Sequence, residues 1–361
     1  MRTIRGKLTK ELLKHTSPKT VGVDNGFRIN TFRELVEQIA QLSYLNKDYL
    51  LFFRGQRYDY KNKANNSSFY PTIYRGEYLT QPELDYRFDK LEAASKILIN
   101  LLSKHKIDGL PEIKRKKLIQ WSILQHYEVT ETPLIDVTQS LRVACSFAQL
   151  NNDSDSAYIY VFGLPYYTNR ISVNSEHDLI NVRLLSISPP QALRPYFQEG
   201  YLIGTDDVTN DYGYKNELDL NNRLIAKYEI PVNKFWGRDF EPIPENALYP
   251  KNDIVKKICD EIEHKLDVNI GETSVGKFLM LWTQVEHNIM TRTHKIAPNI
   301  HNVRSAILHL LENEKDQYSL LKEFDHLRTF RNRLVHYPTE VSNNELHKNI
   351  ESLENFIREY K

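Results

Sequence analysis

Two groups of residues have types and spacings suited to chemistry. The first is Arg331-Asn332-Arg333-Leu334-Val335-His336. On a helix, Asn332 and His336 lie four apart on one face, while Arg331 sits roughly 140° round from His336. One copy therefore spreads its Arg and His, whereas a symmetric helical dimer brings two copies to a shared cleft. The set suits cleavage of RNA by its own 2′-hydroxyl, a reaction that requires no metal. A histidine with a near-neutral pKa moves the proton, and an arginine neutralises the developing phosphorane charge. The same residues also fit a bland role, a buried polar anchor where two helices cross.

The second group is dispersed. Phe52-Phe53-Arg54-Gly55-Gln56 ends an apolar run with a guanidinium that can fork onto phosphate or carboxylate, and Gly55 lets backbone approach a ligand closely. Arg75 is a second candidate cation. Further on, Gln125, His126, Asp136 and Thr138 surround the apolar Pro133-Leu134-Ile135. A short core strand carries a residue such as Asp136 only when its carboxylate is paired or working. Arg194 to Leu202 then adds Gln198, Glu199, Gly200 and Tyr201. These residues form either a ligand cleft or a satisfied buried network of Arg54, His126 and Asp136.

Regular elements must position both groups. Residues 31–45 have the apolar spacing of an amphipathic helix, with Thr31 and Glu34 as a capping box. Residues 49–53 read as a buried strand delivering Arg54-Gly55. Residues 61–68 read as an exposed, mobile loop. Helices are expected at 82–103 and 112–125, and strands at 157–164, 182–188 and 223–232. This mixture lacks regular βαβ alternation and any Gly-rich dinucleotide loop, so the first part is expected to be α+β rather than doubly wound. After the Pro-punctuated 241–253 the pattern becomes helical to the end, an all-α bundle. The boundaries expected are an extension over 1–24, an α+β domain over 25–265 and a helical domain over 271–361.

Composition limits the classes. Formal net charge is +1, with 48 basic and 47 acidic residues, so nucleic-acid binding needs a local patch such as Arg328, Arg331 and Arg333. Hydrophobic residues make up 40%, enough for a sizeable core. Cys145 and Cys259 alone cannot build a disulfide framework or a Cys-based zinc site, which fits a reducing cytoplasm. Seven of the twelve histidines fall after residue 270, without tight metal-ligand spacing, so no metal site is expected. No apolar run suits a signal peptide or a membrane span. The 22 tyrosines favour a Tyr-lined surface or cleft.

Several motifs in order resemble the FRG domain. Phe53-Arg54-Gly55-Gln56, Gln125-His126-Tyr127, Ala144-Cys145-Ser146-Phe147-Ala148 and Gln198-Glu199-Gly200-Tyr201 follow its pattern, and 246–253 resembles its closing segment. Thr132 to Thr138 is a drifted version of a further element, with Val137 in place of Trp, and Glu128 stands where the pattern has Gly. The resemblance covers about 25–265 and implies a cleft built from Arg54, Gly55, Gln56, Gln125, His126, Asp136, Thr138, Gln198 and Glu199. An Arg-Gly pair closing an early strand is also similar to ADP-ribosyltransferases, which would make NAD the cofactor and Glu199 the candidate acid; otherwise no cofactor is expected. Residues 271–361 resemble a HEPN domain through RNRLVH and the earlier QVEHN. That resemblance implies Arg331 and His336 as catalytic, Asn332 as orienting and Glu286 as a further polar contributor. Together they imply a bacterial or phage-encoded effector in antiviral defence or a toxin system. It would be a homodimeric ribonuclease acting on RNA, restrained by the FRG-like domain or an antitoxin and released by a phage-derived trigger. The alternatives are an ADP-ribosyltransferase with a merely dimerising helical domain, and a non-catalytic regulatory binding protein.

Overall fold

The computed structural model describes residues 1–76, 79, 81–206, 208, 215–272, 274–336, 341 and 343–360. The chain divides into two units, Met1–Arg75 with Leu84–Glu263, and Gly76–Glu83 with His264–Lys361. Eight strands of the first unit form one sheet: β1 (Phe27–Arg28), β2 (Leu50–Gln56), β3 (Ile135–Thr138), β4 (Ser156–Leu164), β5 (Ile171–Asn174), β6 (Leu179–Arg183), β7 (Gly200–Gly204) and β8 (Leu224–Pro231). Their order is β1-β8-β4-β2-β3-β7-β6-β5, and every neighbouring pair is antiparallel except β1 with β8.

β4 explains how the sheet is covered. Its Ala157, Ile159 and Val161 point to one core, with Phe53, Ile4, Leu8, Leu12 and the helical residues Phe32, Leu35, Leu42, Ala144 and Ala148. Its Tyr160, Phe162 and Leu164 point to another, with Phe52, Phe69 and Tyr201. Period-two alternation thus serves two apolar faces, the condition under which a strand reads as a continuous hydrophobic run. Each fully buried Phe on these faces contributes about 1.5–3 kcal/mol.

The helices, in chain order, are α1 (Lys10–Leu13), α2 (Phe32–Leu45), α3 (Gln81–Lys104), α4 (Leu110–Arg115), α5 (Lys117–His126), α6 (Leu141–Gln149), α7 (Leu184–Ile187), α8 (Arg194–Gln198), α9 (Glu245–Leu248), α10 (Ile254–Glu272), α11 (Ser274–Ile296), α12 (Val303–Asn313), α13 (Tyr318–His336) and α14 (Asn343–Glu359). Thr31 caps α2, accepting from the Glu34 N–H at 3.2 Å, while the Glu34 carboxylate accepts from Asn30 N–H at 3.0 Å rather than closing the box on Thr31.

The structure differs from sequence expectation at three places. The helix expected over 112–125 is two, α4 and α5, because Lys116 between them is extended. The strand expected over 182–188 ends at Arg183 and turns into α7, which buries Leu184 and Ile187 on one side. The loop over 61–68 is exposed only in part. Ser67 is fully buried, and Lys61 and Ser67 form an isolated antiparallel bridge.

The second unit is helical. Phe278, Trp282, Val285 and Ile289 of α11 recur at helical spacing and pack with Leu321, Phe324, Leu327, Phe330 and Leu334 of α13 and Phe356 of α14. The Trp282 indole stacks on Phe324 with centroids 4.6 Å apart. Among the described residues, no helix is long and apolar enough to cross a membrane. Cys145 and Cys259 are buried and unpaired.

Candidate ligand-binding cleft

The end of β2 sits between β3 and β4, and there Arg54, Gly55 and Gln56 line a cleft of about 690 Å³ with Gln125, His126 and Asp136. β2 runs on through Gln56, with Arg54 opposite Tyr160 and Gln56 opposite Tyr158 on β4. The missing side chain of Gly55 serves packing. A Cβ there would lie 1.9 Å from the Ala144 carbonyl oxygen and 3.0 Å from the Ala148 Cβ, both on α6.

Arg54 donates from Nη1 to the Asp136 carbonyl, and its Nε is buried without a hydrogen-bond partner. Burial lowers its pKa against the opposing pull of Asp136, and the Arg75 charge lowers it further. Asp136 is the acid of the group. Gln125 donates to its Oδ2 at 2.7 Å, and His126 Nδ1 stands 3.6 Å from its Oδ1. Gln125 in turn accepts from the Thr132 hydroxyl, which fixes its amide orientation. Burial alone would raise the Asp136 pKa, but His126, Arg54 and Gln125 outweigh it and hold the carboxyl below its ordinary range. His126 is nearly fully buried, and its Nε2 has no hydrogen-bond partner.

Three expected residues do other work. Thr138 lines the cleft but donates to the Gln198 and Glu199 carbonyls and accepts from Ser140 N–H at 3.0 Å, tying β3 to the turn before β7. The Gln198 amide donates to the Leu248 carbonyl at 2.9 Å. Glu199 ends α8 with φ +44°, is exposed, and does not line the cleft. Its left-handed turn lets β7 start directly beside β3.

Residues that the sequence patterns did not single out complete the cleft, Arg57, Tyr58, Tyr60, Lys61 and Tyr249, together with Glu128, which the sequence marks only as a departure from the FRG pattern. The alternation Arg57-Tyr58-Asp59-Tyr60-Lys61, basic and aromatic around one acid, was the available signal. That segment is anchored by a buried ion pair. Lys227 Nζ, almost wholly buried, donates to Asp59 Oδ2 at 2.9 Å, Ser67 Oγ at 3.0 Å and the Gly22 carbonyl at 3.2 Å. Asp59 Oδ1 also accepts from Ser67 and from Tyr160 at 3.0 Å. All partners being satisfied, this network is structural. A second clamp holds the turn after α5. Buried Asp253 accepts from the Tyr127 hydroxyl at 2.6 Å and from the N–H groups of Leu193 and Arg194. Burial, then this bond, pushes the Tyr127 hydroxyl far up. Arg194 lies between the Tyr127 and Tyr249 rings, 5.1 and 4.8 Å from their centroids.

The cleft therefore holds four cationic side chains, Arg54, Arg57, Lys61 and Arg75, against two carboxylates, Asp136 and Glu128, on an aromatic lining. Chemically it can accept an anionic ligand with a flat or apolar part.

In the helical unit, Arg331, Asn332 and Glu286 come together. Arg331 Nη2 is 3.9 Å from buried Glu286, its Nη1 donates to Asn332 Oδ1 at 2.9 Å, and its guanidinium lies 5.3 Å from the Trp282 ring centroid. Trp282 Nε1 donates to the other Glu286 oxygen at 2.8 Å. His336 is exposed in the last turn of α13, so the Arg and His diverge as their spacing predicts. Among the described residues, no group of three or more His, Cys, Asp or Glu side chains could hold a metal ion.

No curated protein and no solved structure matches the chain. One family does, over a segment running from the start of β2 to the start of β4, which includes Arg54, Gln125, His126 and Asp136 but ends before Gln198 and includes none of the helical unit beyond 264. That family is the FRG domain, whose pattern residues 50–157 match.

Proposed function

We propose that the first unit binds a small phosphate-bearing ligand in the cleft at the end of β2. The observation that carries this reading is the convergence of Arg54, Arg57, Lys61 and Arg75 on one tyrosine-lined cavity. Arg54 is the central contact, since its Nε is a buried donor with no partner. An incoming phosphate oxygen would satisfy it, and a buried unsatisfied donor costs about 1–3 kcal/mol. Tyrosine faces would take an attached ring. The test is calorimetric titration of the whole protein with ATP, NAD⁺ and tripolyphosphate. Binding to wild type that Arg54→Gln weakens by tenfold or more supports the reading. Equal affinity in both proteins, or no binding of any of the three, refutes it.

The helical unit is, in the same proposal, the effector: an endoribonuclease resembling HEPN that needs no metal, works as a homodimer, and answers to the ligand state of the first unit. The grouping of Arg331, Asn332 and Glu286 on α13 and α11 favours it. Arg331 would neutralise phosphorane charge and His336 would move the proton. Cleavage of total RNA in EDTA that vanishes with His336→Ala supports this role, and a role in defence or as a toxin would follow from ligand-dependent growth arrest. NAD-dependent transfer is the competing reading. Its candidate acid, Glu199, does not line the cleft, and NAD⁺-dependent labelling of lysate proteins lost in Arg54→Gln would favour it over RNA cleavage.

A further inference from the structure

Glu128 stands where a helix ends in a way that suits glycine. After α5, Val129 N–H donates to the Leu124 carbonyl at 2.9 Å and Glu128 N–H to the Gln125 carbonyl at 3.0 Å. These are the two bonds of a Schellman ending, whose middle residue is left-handed. Glu128 takes that position with φ +60°. A residue with a Cβ loses stability there relative to glycine. The protein returns nothing visible for the loss. The Glu128 side chain is exposed and makes no hydrogen bond or ion pair among the described residues. It does line the cleft, beside Tyr249, whose hydroxyl is pushed up first by burial and then by the Glu128 charge.

The other carboxylate of the cleft is already engaged. Asp136 accepts from Gln125 and stands beside His126 and Arg54. Glu128 is thus the carboxylate left for a ligand, beside the neutral Gln56 Oε1, which also lacks a partner. A carboxylate repels phosphate and welcomes hydroxyl donors; a cis-diol offers two that match its two oxygens. A cavity of about 690 Å³ is large enough for a nucleotide.

We infer that Glu128 receives the ribose diol of the ligand, so that the cleft selects a nucleoside phosphate over inorganic polyphosphate and over nucleotides lacking both hydroxyls. This inference rests on the phosphate-ligand reading above. Strain at a functional position, retained because the side chain is needed there, accounts for the residue.

The experiment titrates wild type, Glu128→Gly and Glu128→Gln with ATP, 2′,3′-dideoxy-ATP and tripolyphosphate, and records thermal unfolding of each without ligand. Wild type should prefer ATP over the dideoxy analogue by about tenfold or more, as charged hydrogen bonds require. In Glu128→Gly that preference should fall to within twofold and tripolyphosphate should bind no more weakly. Its Tm should rise by about 2–4 °C as the left-handed strain is relieved. Glu128→Gln keeps the Cβ, so its Tm should not rise while its preference drops. Glu128→Gly retaining the full preference for ATP overturns the assignment, as does wild type binding ATP and its dideoxy analogue equally. Wild type binding none of the three overturns the phosphate-ligand reading itself, and this one with it.

Discussion

Gly55→Ala separates two accounts of the glycine after Arg54, and the structure gives the size of the effect. A glycine after Arg54 could exist so that a ligand reaches the backbone. The geometry says instead that it exists so that α6 reaches β2. A Cβ built at Gly55 lies 1.9 Å from the Ala144 carbonyl oxygen and 2.9 Å from its carbon. An ordinary contact needs more than an ångström beyond the first distance, and the obstacle is main chain, which has no rotamer to change. β2 is paired on both sides and cannot yield without disturbing β3 and β4. Overpacking by a methylene usually costs about 1–3 kcal/mol, and this case belongs at or above the upper end. For a unit of this size about 3 kcal/mol lowers Tm by roughly 6–12 °C. The assay is thermal and urea unfolding of the full chain without ligand. Ala144→Gly should not rescue the variant, because the clash is with a carbonyl that every residue carries. Gly109→Ala is a matched control, since nothing lies within 4 Å of its Cβ and only its φ of +78° is unfavourable; it should cost about 1 kcal/mol. A Gly55→Ala protein that unfolds within a degree of wild type but loses ligand affinity would refute the packing account and restore the ligand account.

Two further outcomes are expected from the same unit. Lys227→Met leaves buried Asp59 with only the more distant Lys61, at 3.9 Å, and should destabilise by about 3 kcal/mol, the low end for a broken buried pair, in urea unfolding. Asp59→Asn added to it should recover part of the loss. For Asp136, the folded carboxyl titrates below its unfolded value. Its stabilisation is therefore complete above the ordinary carboxylate pKa of about 4 and is lost as pH falls through the lower folded value. Asp136→Asn should accordingly flatten the dependence of unfolding free energy on pH below about pH 4, and an unchanged slope would show that the carboxyl is not held ionised.

How far the sequence could reveal all this depended on whether a feature was local. β4 was legible because two faces of apolar side chains leave a continuous Ala-to-Leu run. α2 was legible because its cap and its period agree. β7 was not, because Tyr201 to Gly204 is short and its partner β3 lies some sixty residues away. Arg54, Gln125, His126 and Asp136 were legible as polar residues in apolar surroundings, and β2, α5 and β3 do bring them together. Arg57, Lys61 and their tyrosines looked like ordinary loop residues, because what holds them is Lys227, far along the chain and bonded to Asp59, Ser67 and the Gly22 carbonyl. The pairing of Tyr127 and Arg194 with Asp253 escaped for the same reason: it joins residues distant in sequence. Gly55 was noticed but its cause was invisible, since no pattern in the sequence says that Ala144 passes over it.

The helical unit calls for unequal treatment of its two central residues. Arg331 and Glu286 are 12% and 5% exposed and paired, beside the Trp282 indole. Arg331→Ala removes the cation from this site and leaves Glu286 buried, with an expected loss of about 3–5 kcal/mol. A ribonuclease defect in that variant would follow from a loosened bundle as readily as from lost chemistry. His336 is exposed, so His336→Ala should leave Tm within about a degree, since surface substitutions usually stay within ~0.5 kcal/mol. The informative pair is therefore His336→Ala against Glu286→Gln. If RNA cleavage depends on proton transfer by His336, the first variant loses activity at unchanged Tm, while the second keeps measurable activity at a lowered Tm. If the hexapeptide is only a polar anchor of the bundle, Glu286→Gln still lowers Tm and His336→Ala changes neither stability nor any RNA signal.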